Sequence, residues 1–482
     1  MSHPNVLLVC TDHWPGSLTR MAGHPSVMTP TLAQLARSGT WFPNAYTPCP
    51  SCIPARRSLM TGLTPRTHGD RVFDQHLEMP DVPTVADCFR DAGYQAHAVG
   101  KLHVYPQKST IGFDHVIHQE EGRHQFDGVP DDWENFLARE GFPGQEYAGG
   151  QGSNDYHVRA WHLPDYCHPT EWATREMSRI IHERDPDRPG FWYLSYMAPH
   201  PPLWPLREYL DLYRDVPVDP PVMGDWAEDF ESLPHALRVR SDQGGGINGA
   251  LPHEVDLARR AFYALCTHID HQLRVVIGTL REEGILDDTI IAFTSDHGEM
   301  LGDHGLWAKT VMYEPSANVP LLILPREGDG RFGQGEVDDR LAALQDVPAT
   351  LLDLANLPVP GNMEGQSLAG SERREILYCE HWEGDIATRM VRDDRYKLVY
   401  YPVGNRRQLF DLQEDRRETR DLSGSADHAE IRSRLTGALI AHLYGEDTEW
   451  VKDGKLVGYP DKPAAPFRSR GLGGQRGLRI RE

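Results

Sequence analysis

The chain has 482 residues, 39% hydrophobic and 25% charged, and this composition predicts a large globular core and two domains. Its formal net charge of −22 argues against nucleic acid or an anionic membrane as a partner, so an anionic substrate would need a local basic pocket. The seven cysteines are odd in number and scattered, which argues against a disulfide scaffold and favours a reducing compartment.

The N-terminal segment reads as a first strand. MSHPNVLLVCTD has no basic region, and its short apolar run does not fit a signal peptide. No apolar run in the sequence approaches the ~18 residues of a membrane span. We therefore expect a cytoplasmic protein.

Short apolar runs alternate with helical patterns over the first two thirds of the chain. Strands are predicted at NVLLVC, YQAHAVG, FWYLSYMA, TIIAFTS and VPLLILP, and helices at TPTLAQLARSG, VPTVADCFRDAGY and residues 253–283. This alternation predicts an α/β fold with a mostly parallel central sheet flanked by helices.

Two long stretches, 114–170 and 213–250, do not follow this alternation. The first is rich in Gly, Asp, His and Trp, and the second carries many Pro and Gly, including Gly244-Gly245-Gly246. Loops of this length in a compact enzyme either shape the substrate site or decorate the surface, and the sequence leaves both open.

The pattern changes beyond about Arg373. EILYCEHW, TRMVRDDRYKLVYY and RQLFDLQEDRRETRDL predict antiparallel strands followed by a helix. We therefore expect a catalytic domain over 1–372 and a smaller C-terminal α+β domain over 373–465. The basic tail, 466–482, is either disordered or an oligomerisation arm, and we expect a homo-oligomer, a dimer or tetramer.

Charged or imidazole residues follow four of the predicted strands, and ligands of open α/β sheets bind beyond such carboxyl ends. The residues are Asp12 and His13, Lys101 and His103, His200, and Asp296 and His297. Each alone has an ordinary explanation as a turn or cap residue, but together they predict a site. Carboxylate and imidazole ligands suit a divalent cation, and lysines with imidazoles suit a tetrahedral oxyanion.

The segment YTPCPSCIPARRSLMTG contains Cys49-Pro-Ser-Cys52, a C-x-x-C pattern. A redox pair usually opens a helix in a thioredoxin-like βαβ unit, and no such unit surrounds this one. A zinc site needs a second pair of ligands at tight spacing, and the other cysteines are isolated. Neither interpretation is favoured.

The residues after Cys52 carry a stronger signal. Cys52-Ile53-Pro54-Ala55-Arg56 with Leu59-Met60-Thr61-Gly62 closely resembles the C-x-P-x-R…T-G signature of type I sulfatases. VGKLH, MAPHPPL, TSDHGEMLGDHGLWAKTVMYE and ANVPLLI resemble further motifs of that family, in order, and QLFDLQEDRRETRDL resembles its small-domain signature. The resemblance covers nearly the whole chain and implies the alkaline-phosphatase-like fold and hydrolysis of small anionic sulfate esters.

In that family a formylglycine-generating enzyme oxidises the cysteine to an aldehyde, whose hydrate is the nucleophile. One hydroxyl, activated by the metal, attacks sulfur or phosphorus and displaces the alcohol; deprotonation of the second expels the inorganic group. By motif position the resemblance implies that Cys52 becomes the nucleophile and lies next to the metal, whose ligands are Asp12, Asp296 and His297. Arg56 would orient the diol, and the oxyanion and leaving group would be contacted by Lys101, Lys309 and His200. His103 would be the base for the collapse that expels the inorganic group.

The chain departs from the commonest sulfatase pattern at its ligand pairs. Many members have Asp-Asp and Asp-Asn where this chain has Asp12-His13 and Asp296-His297, which resembles the choline-sulfatase and phosphonate monoester hydrolase branch. An imidazole ligand moves the expected ion from Ca²⁺ towards Mn²⁺. His13 itself is either a ligand, an oxyanion contact or a supporting residue. Asp74 is either an oxyanion neighbour or a surface turn residue, and the second is favoured.

Other functions stay open at this point. The same machinery in that branch hydrolyses phosphonate monoesters and phosphodiesters. A choline pocket would need an aromatic cage, which Trp133, Tyr147, Tyr156, Trp161 and Tyr166 would supply unless they simply pack. An unmodified Cys52 would leave a metal-binding homologue or a redox protein that uses Cys49 and Cys52; otherwise Cys49 is a packing residue.

Overall fold

The elements of the fold are those of a computed structural model that describes residues 3–121, 129–243 and 250–463. The strands are β1 (Asn5–Thr11), β2 (Thr40–Trp41), β3 (Ala45–Tyr46), β4 (Gln95–Gly100), β5 (His115–His118), β6 (Gly190–Ser195), β7 (Thr289–Ser295), β8 (Leu321–Leu324), β9 (Glu336–Val337), β10 (Ala342–Ala343), β11 (Leu377–His381), β12 (Thr388–Arg392), β13 (Tyr396–Tyr401), β14 (Arg406–Asp411), β15 (Val451–Lys452) and β16 (Lys455–Leu456). The α-helices are α1 (Pro30–Ser38), α2 (Cys52–Thr61), α3 (Pro65–His68), α4 (Val85–Asp91), α5 (Asp132–Arg139), α6 (Pro169–His182), α7 (Arg207–Leu212), α8 (His235–Gln243), α9 (Pro252–Glu282), α10 (Glu314–Ala317), α11 (Asp346–Leu354) and α12 (Ala429–His442).

The main sheet is mostly parallel. In the described part of the chain it has eight strands in the order β5-β4-β6-β1-β7-β8-β2-β9. The first five pair in parallel, and β8 runs antiparallel to both of its neighbours. Every residue of β1, β6 and β7 is buried, as expected for parallel strands covered on both faces. The predicted α/β fold is confirmed, and a strand lies at each of the five predicted positions.

Alternate side chains of the sheet fill two separate cores. Leu7 and Val9 of β1 belong to the core beneath α1, α6 and α9. Val6 and Leu8 belong to the opposite core, which α2, α4 and α11 cover. Among the described helices, none has both the length and the apolar character needed to cross a bilayer.

The C-terminal region forms its own antiparallel sheet, in the order β11-β12-β13-β14, as the sequence predicts. Helix α12 packs Leu435 and Leu439 against Leu398 on one face of it. The other face contacts the main body, since Met390 and Val399 share a core with Met312. The C-terminal sheet is thus attached to the main body by apolar packing that includes residues next to Lys309 in the sequence. The proposed domain limits at residues 372 and 465 stay a prediction.

The two long stretches that the alternation left unassigned are partly regular. Stretch 114–170 contains β5 and α5, and stretch 213–250 contains α8. Of the proposed cage, Trp133, Tyr147, Tyr156 and Trp161 are buried in the α9 core, whereas Tyr166 is 44% exposed. The Gly244-Gly245-Gly246 run and the basic tail lie outside the described residues.

Helix α2, which begins at Cys52, is anchored by polar side chains as well as by apolar packing. All ten of its residues are buried. Ser58 Oγ lies 3.0 Å from His68 Nε2, and the Arg57 guanidinium donates to the His68 carbonyl at 3.0 Å. Burial, followed by the charge of Arg57, lowers the pKa of His68 to about 3. The imidazole is therefore neutral in the folded protein throughout the physiological range.

This neutral histidine predicts acid sensitivity. Because the unfolded chain binds a proton on His68 below pH ~6.5 and the folded chain does not, stability falls as the pH drops, by about 1.4 kcal/mol between pH 7.5 and 5.5 for this one group. Urea unfolding at the two pH values should show that His68→Gln loses less stability on acidification than the wild type, by about that amount. Ser58→Ala, which removes the hydrogen bond but keeps the imidazole, should retain the wild-type difference. Equal losses in His68→Gln and the wild type would contradict the assignment.

Candidate active site

The predicted site residues converge at one edge of the main sheet. Asp12 follows β1, Lys101 follows β4 and Asp296 follows β7, and all three are fully buried. The N-terminus of α2 faces this edge, so Cys52 and Arg56 enter the same space. The convergence follows from the parallel strands, whose carboxyl ends must lie together.

Cys52 lies at the centre of the cluster. Its Sγ is 3.2 Å from His297 Nε2 and 3.7 Å from Asp12 Oδ1, and the residue is 1% exposed. Burial, with the charge of Asp12, raises the pKa of the Cys52 thiol. Cys49 is buried as well, which raises its pKa well above the usual value, and all seven cysteines are free. A redox pair depends on the opposite shift, towards thiolate.

Arg56 connects the strand ends to one another. Its Nε donates to Asp296 Oδ2 at 2.8 Å, and its Nη1 donates to the Lys101 carbonyl at 2.7 Å and to Ser195 Oγ at 2.8 Å. Asp12 Oδ2 lies 3.7 Å from Nη2. Burial alone would lower the pKa of Arg56, but Asp296 holds it well above its ordinary value. The guanidinium is therefore a fixed positive charge beside Cys52.

A second group of atoms suits a divalent cation. His297 Nδ1 lies 2.9 Å from the Gly298 carbonyl, and a proton there leaves Nε2 as an acceptor. That Nε2 is 3.6 Å from Asp12 Oδ1 and 3.6 Å from Asp296 Oδ1. Ligand atoms of Asp12, His13, Cys52 and His297 all lie within 4.8 Å of one another, and every one of these residues is buried. Two carboxylates that flank one imidazole nitrogen fit a divalent ion of the Mn²⁺ or Ca²⁺ type.

Two lysines line the same pocket. Lys101 Nζ contacts the carboxylates of Asp12 and Glu121. Lys309 Nζ contacts His13 Nε2 and lies 3.4 Å from His200 Nε2. Burial opposes ionisation of Asp12, but the charge of Lys101 holds the pKa of that carboxyl well below its ordinary value. The pocket thus combines ammonium and guanidinium groups in a protein that is strongly acidic overall.

The imidazoles around Lys309 are neutral. Burial, followed by the charge of Lys309, lowers the pKa values of His13 and His200 well below the ordinary histidine value, and burial also lowers that of His297. His13 adopts a φ of 70°, a left-handed conformation that side chains rarely take and that functional residues often do. Its Nδ1 lies 2.8 Å from Glu299 Oε2, and Tyr156 Oη donates to the same oxygen at 2.5 Å. A buried chain of polar groups therefore sets the orientation of His13.

Two other predicted residues lie at the side of this cluster or outside it. His103 comes two residues after Lys101 with a φ of 60°; its backbone N–H donates to Glu120 Oε1 at 2.8 Å, and its ring lies 5.4 Å from that of Phe73. Asp74 is exposed in a turn, where its Oδ1 accepts the His76 N–H at 2.9 Å. The structure does not bring Asp74 into the cluster.

Three polar residues of the site were not predicted. Glu121 follows β5 and contacts Lys101, but it lies in a stretch that the sequence left without strands. Glu299 lies three residues after Asp296 in the motif TSDHGEM, so the rule of strand ends would have found it. Ser195, the last residue of β6, contacts Arg56 and looks in the sequence like an ordinary strand residue.

The sequence was also compared with family models. The model described as Sulfatase matches residues 4–357, and the model described as N-sulphoglucosamine sulphohydrolase, C-terminal, matches residues 302–443. Together they span both sheets. The first match alone covers well over half of the chain.

Individual proteins are similar over nearly the full length. An arylsulfatase of Clostridium perfringens is 32% identical over 95% of this chain and 98% of its own, and a choline-sulfatase of Rhizobium meliloti is 31% identical over 87% and 82%. The phosphonate monoester hydrolase of Agrobacterium radiobacter has the same fold, with a TM-score of 0.78, 23% identity and coverage of 95% and 100%. The resemblance inferred from the motifs is confirmed: the chain belongs to the sulfatase family of sulfuric ester hydrolases.

Proposed function

We propose that this protein hydrolyses sulfate monoesters with a formylglycine nucleophile derived from Cys52. The observation that carries the proposal is the position of Cys52, whose Sγ lies 3.2 Å from His297 and 3.7 Å from Asp12 at the first residue of α2. Cationic groups and a candidate cation site surround that position. A tetrahedral oxyanion with developing charge needs such an environment.

Conversion of Cys52 is supported by the chemistry of its surroundings. A thiol whose pKa is raised by burial is a weak nucleophile at neutral pH. The hydrate of an aldehyde at the same position offers one hydroxyl to attack sulfur and a second whose deprotonation expels sulfate and restores the aldehyde. A formylglycine-generating enzyme is the partner that this proposal requires.

The chain's own residues divide the remaining tasks. Arg56, held by Asp296 and Ser195, orients the group at position 52. Lys101 and Lys309 supply positive charge to the sulfate oxygens. Lys309 also lies between the neutral imidazoles of His13 and His200, so it can supply a proton towards the leaving alcohol. His103, on the strained backbone after β4, is proposed as the base for the second step.

Asp12, Asp296 and His297 would hold one divalent metal ion next to residue 52. When bound, such an ion would act as a Lewis acid on the sulfate oxygens and lower the pKa of a neighbouring hydroxyl. The imidazole nitrogen among two carboxylates favours Mn²⁺ over Ca²⁺.

Metal content tests this ligand set without any reference to turnover. Protein purified without chelator should carry about one divalent ion per chain, and Asp12→Asn should lose most of it, since a change of one ligand costs 10-fold or more in affinity. Asp91→Asn, the same change on the exposed end of α4, should keep the wild-type content. Elemental analysis decides between Mn²⁺ and Ca²⁺. Equal metal content in wild type and Asp12→Asn would contradict the assignment.

Peptide mass tests the nucleophile. The peptide that contains Cys52 should be about 18 Da lighter than its sequence mass, because a thiol becomes an aldehyde, and Cys52→Ala should lose at least about 1,000-fold in kcat. Cys49→Ala is the control, since a redox C-x-x-C needs both thiols and a formylglycine enzyme needs one. An unmodified peptide from the native host, or full turnover by Cys52→Ala, would overturn the mechanism. Loss of activity in both cysteine variants would favour the redox alternative.

Hydrolysis of phosphonate monoesters and phosphodiesters is the second candidate. The Asp12-His13 and Asp296-His297 pairs favour it, because these pairs resemble the branch that accepts such esters. We expect kcat/KM on an aryl sulfate to exceed that on a phenylphosphonate monoester or a phosphodiester by about 10-fold or more, a difference that reports differential stabilisation of the transition state. The reverse order, measured side by side, would make the phosphonate or phosphate ester the preferred substrate.

A further inference from the structure

One buried carboxylate beside the pocket has its hydrogen-bonding capacity fully used. Glu299 is 1% exposed, and its Oε2 lies 2.8 Å from His13 Nδ1 and accepts from Tyr156 Oη at 2.5 Å. Its Oε1 accepts the backbone N–H groups of Leu301 at 3.1 Å and Ala308 at 2.5 Å. A carboxylate offers about four acceptor positions, so these four partners fill it. A group held in this way is fixed in place and orients its partners in turn.

Three of these partners hold a backbone conformation that side chains rarely adopt. The φ angles are 70° at His13, 47° at Leu301 and 63° at Ala308, all in the left-handed region. Such conformations are destabilising by themselves and persist where surrounding contacts hold them. Ala308 directly precedes Lys309, so the carboxylate of Glu299 also fixes the backbone from which the Lys309 side chain starts.

The position of the proton on His13 follows from its two neighbours. Lys309 Nζ contacts His13 Nε2, and an ammonium group has donors only, so this ring nitrogen is the acceptor. The proton of the neutral imidazole is therefore on Nδ1, where Glu299 Oε2 accepts it. Glu299 thus sets both the tautomer and the orientation of the ring that receives the Lys309 ammonium.

A second imidazole receives the same ammonium group. His200 Nδ1 lies 2.5 Å from the Pro201 carbonyl, and a proton there leaves Nε2, which is 3.4 Å from Lys309 Nζ, as an acceptor. Two of the three Lys309 protons are thus directed to His13 and His200, and in the described part of the chain the third has no partner. This third proton is available to a substrate at the reacting centre, since a ring nitrogen of His13 lies within 4.8 Å of Cys52 Sγ.

From these contacts we infer that Glu299 is a positioning residue that, through His13, aims the Lys309 ammonium at the leaving oxygen of the ester. The inference rests on the proposed function, because it assigns Lys309 to the alcohol that residue 52 displaces. When the sulfur–oxygen bond breaks, the electron pair stays on the alcohol oxygen and one Lys309 proton joins it. The alcohol leaves as a neutral molecule, and the resulting amine regains a proton from water. Glu299 touches neither sulfur nor alcohol and acts through the imidazole and the backbone that it holds.

The dependence of the rate on the leaving group tests this role. Glu299→Gln should lower kcat/KM on phenyl sulfate by about 100-fold and on 4-nitrophenyl sulfate by less than about 10-fold, because 4-nitrophenolate leaves with little need of a proton. Lys309→Met should show the same selective loss. Adding Glu299→Gln to Lys309→Met should then lower kcat/KM by no more than about threefold further, since both residues serve one step. Equal losses on the two esters, or full additivity of the two substitutions, would overturn the inference.

Metal content and a matched control separate this role from a general effect on the site. Glu299→Gln should keep the wild-type metal content; loss of the ion would mean that Glu299 supports a metal ligand, and would overturn the assignment to Lys309. Glu140 also accepts a tyrosine hydroxyl, that of Tyr166 at 3.0 Å, but it is exposed. Glu140→Gln should therefore leave kcat/KM on both esters unchanged.

The tautomer of His13 in the wild type decides the geometry without turnover, and also if Glu299→Gln does not fold. Nitrogen NMR of protein with isotope-labelled histidine, in which the His13 signals are those absent from His13→Gln, should place the ring proton on Nδ1. A proton on Nε2 would overturn the inference whether or not a sulfate ester is hydrolysed. If no sulfate ester is hydrolysed and the proton is on Nδ1, the proposed function fails while the orientation of Lys309 by Glu299 and His13 is supported.

Discussion

The site depends on one buried guanidinium that joins the ends of four strands. Arg56 bonds to Asp296 after β7, to the Lys101 carbonyl after β4 and to Ser195 at the end of β6, and it lies near Asp12 after β1. A buried charge is costly unless it is paired and hydrogen-bonded, and the Nε and Nη1 contacts of Arg56 meet this need, so the geometry is strongly specified once α2 has packed. The position of residue 52, one helical turn before Arg56, is fixed by the same contacts.

Around Arg56, the pocket gathers positively charged side chains in a protein whose net charge is negative. Lys101, Lys309 and Arg56 line the pocket, whereas the chain has a formal net charge of −22. The buried histidines contribute no further positive charge, because burial and Lys309 keep His13 and His200 neutral. The cationic groups are balanced by the carboxylates of Asp12, Glu121 and Asp296, and the neutral imidazoles add no further repulsion.

Much of the fold and of the candidate site could be predicted from the sequence. The same physical reasons explain which residues of the site could not be predicted. Mostly apolar runs mark β1, β6 and β7, and the residues that follow such runs must meet at one edge, so Asp12, His200 and Asp296 could be predicted to lie close together. Glu121 was missed because β5 is only four residues long and half exposed, so it leaves no clear pattern. Met312 and Met390 come from distant parts of the chain, and only the packing of the C-terminal sheet against the main body brings them together. Local patterns carry no information of that kind.

The near-complete burial of Cys52 limits when this residue can be modified. With 1% of its surface exposed at the buried start of α2, its thiol is out of reach of another enzyme once the strands and helices have closed around it. A modification at that position would therefore be made while the chain is still open. Each molecule would be committed as active or inactive at its synthesis, and the active fraction of a population would record the competition between modification and folding.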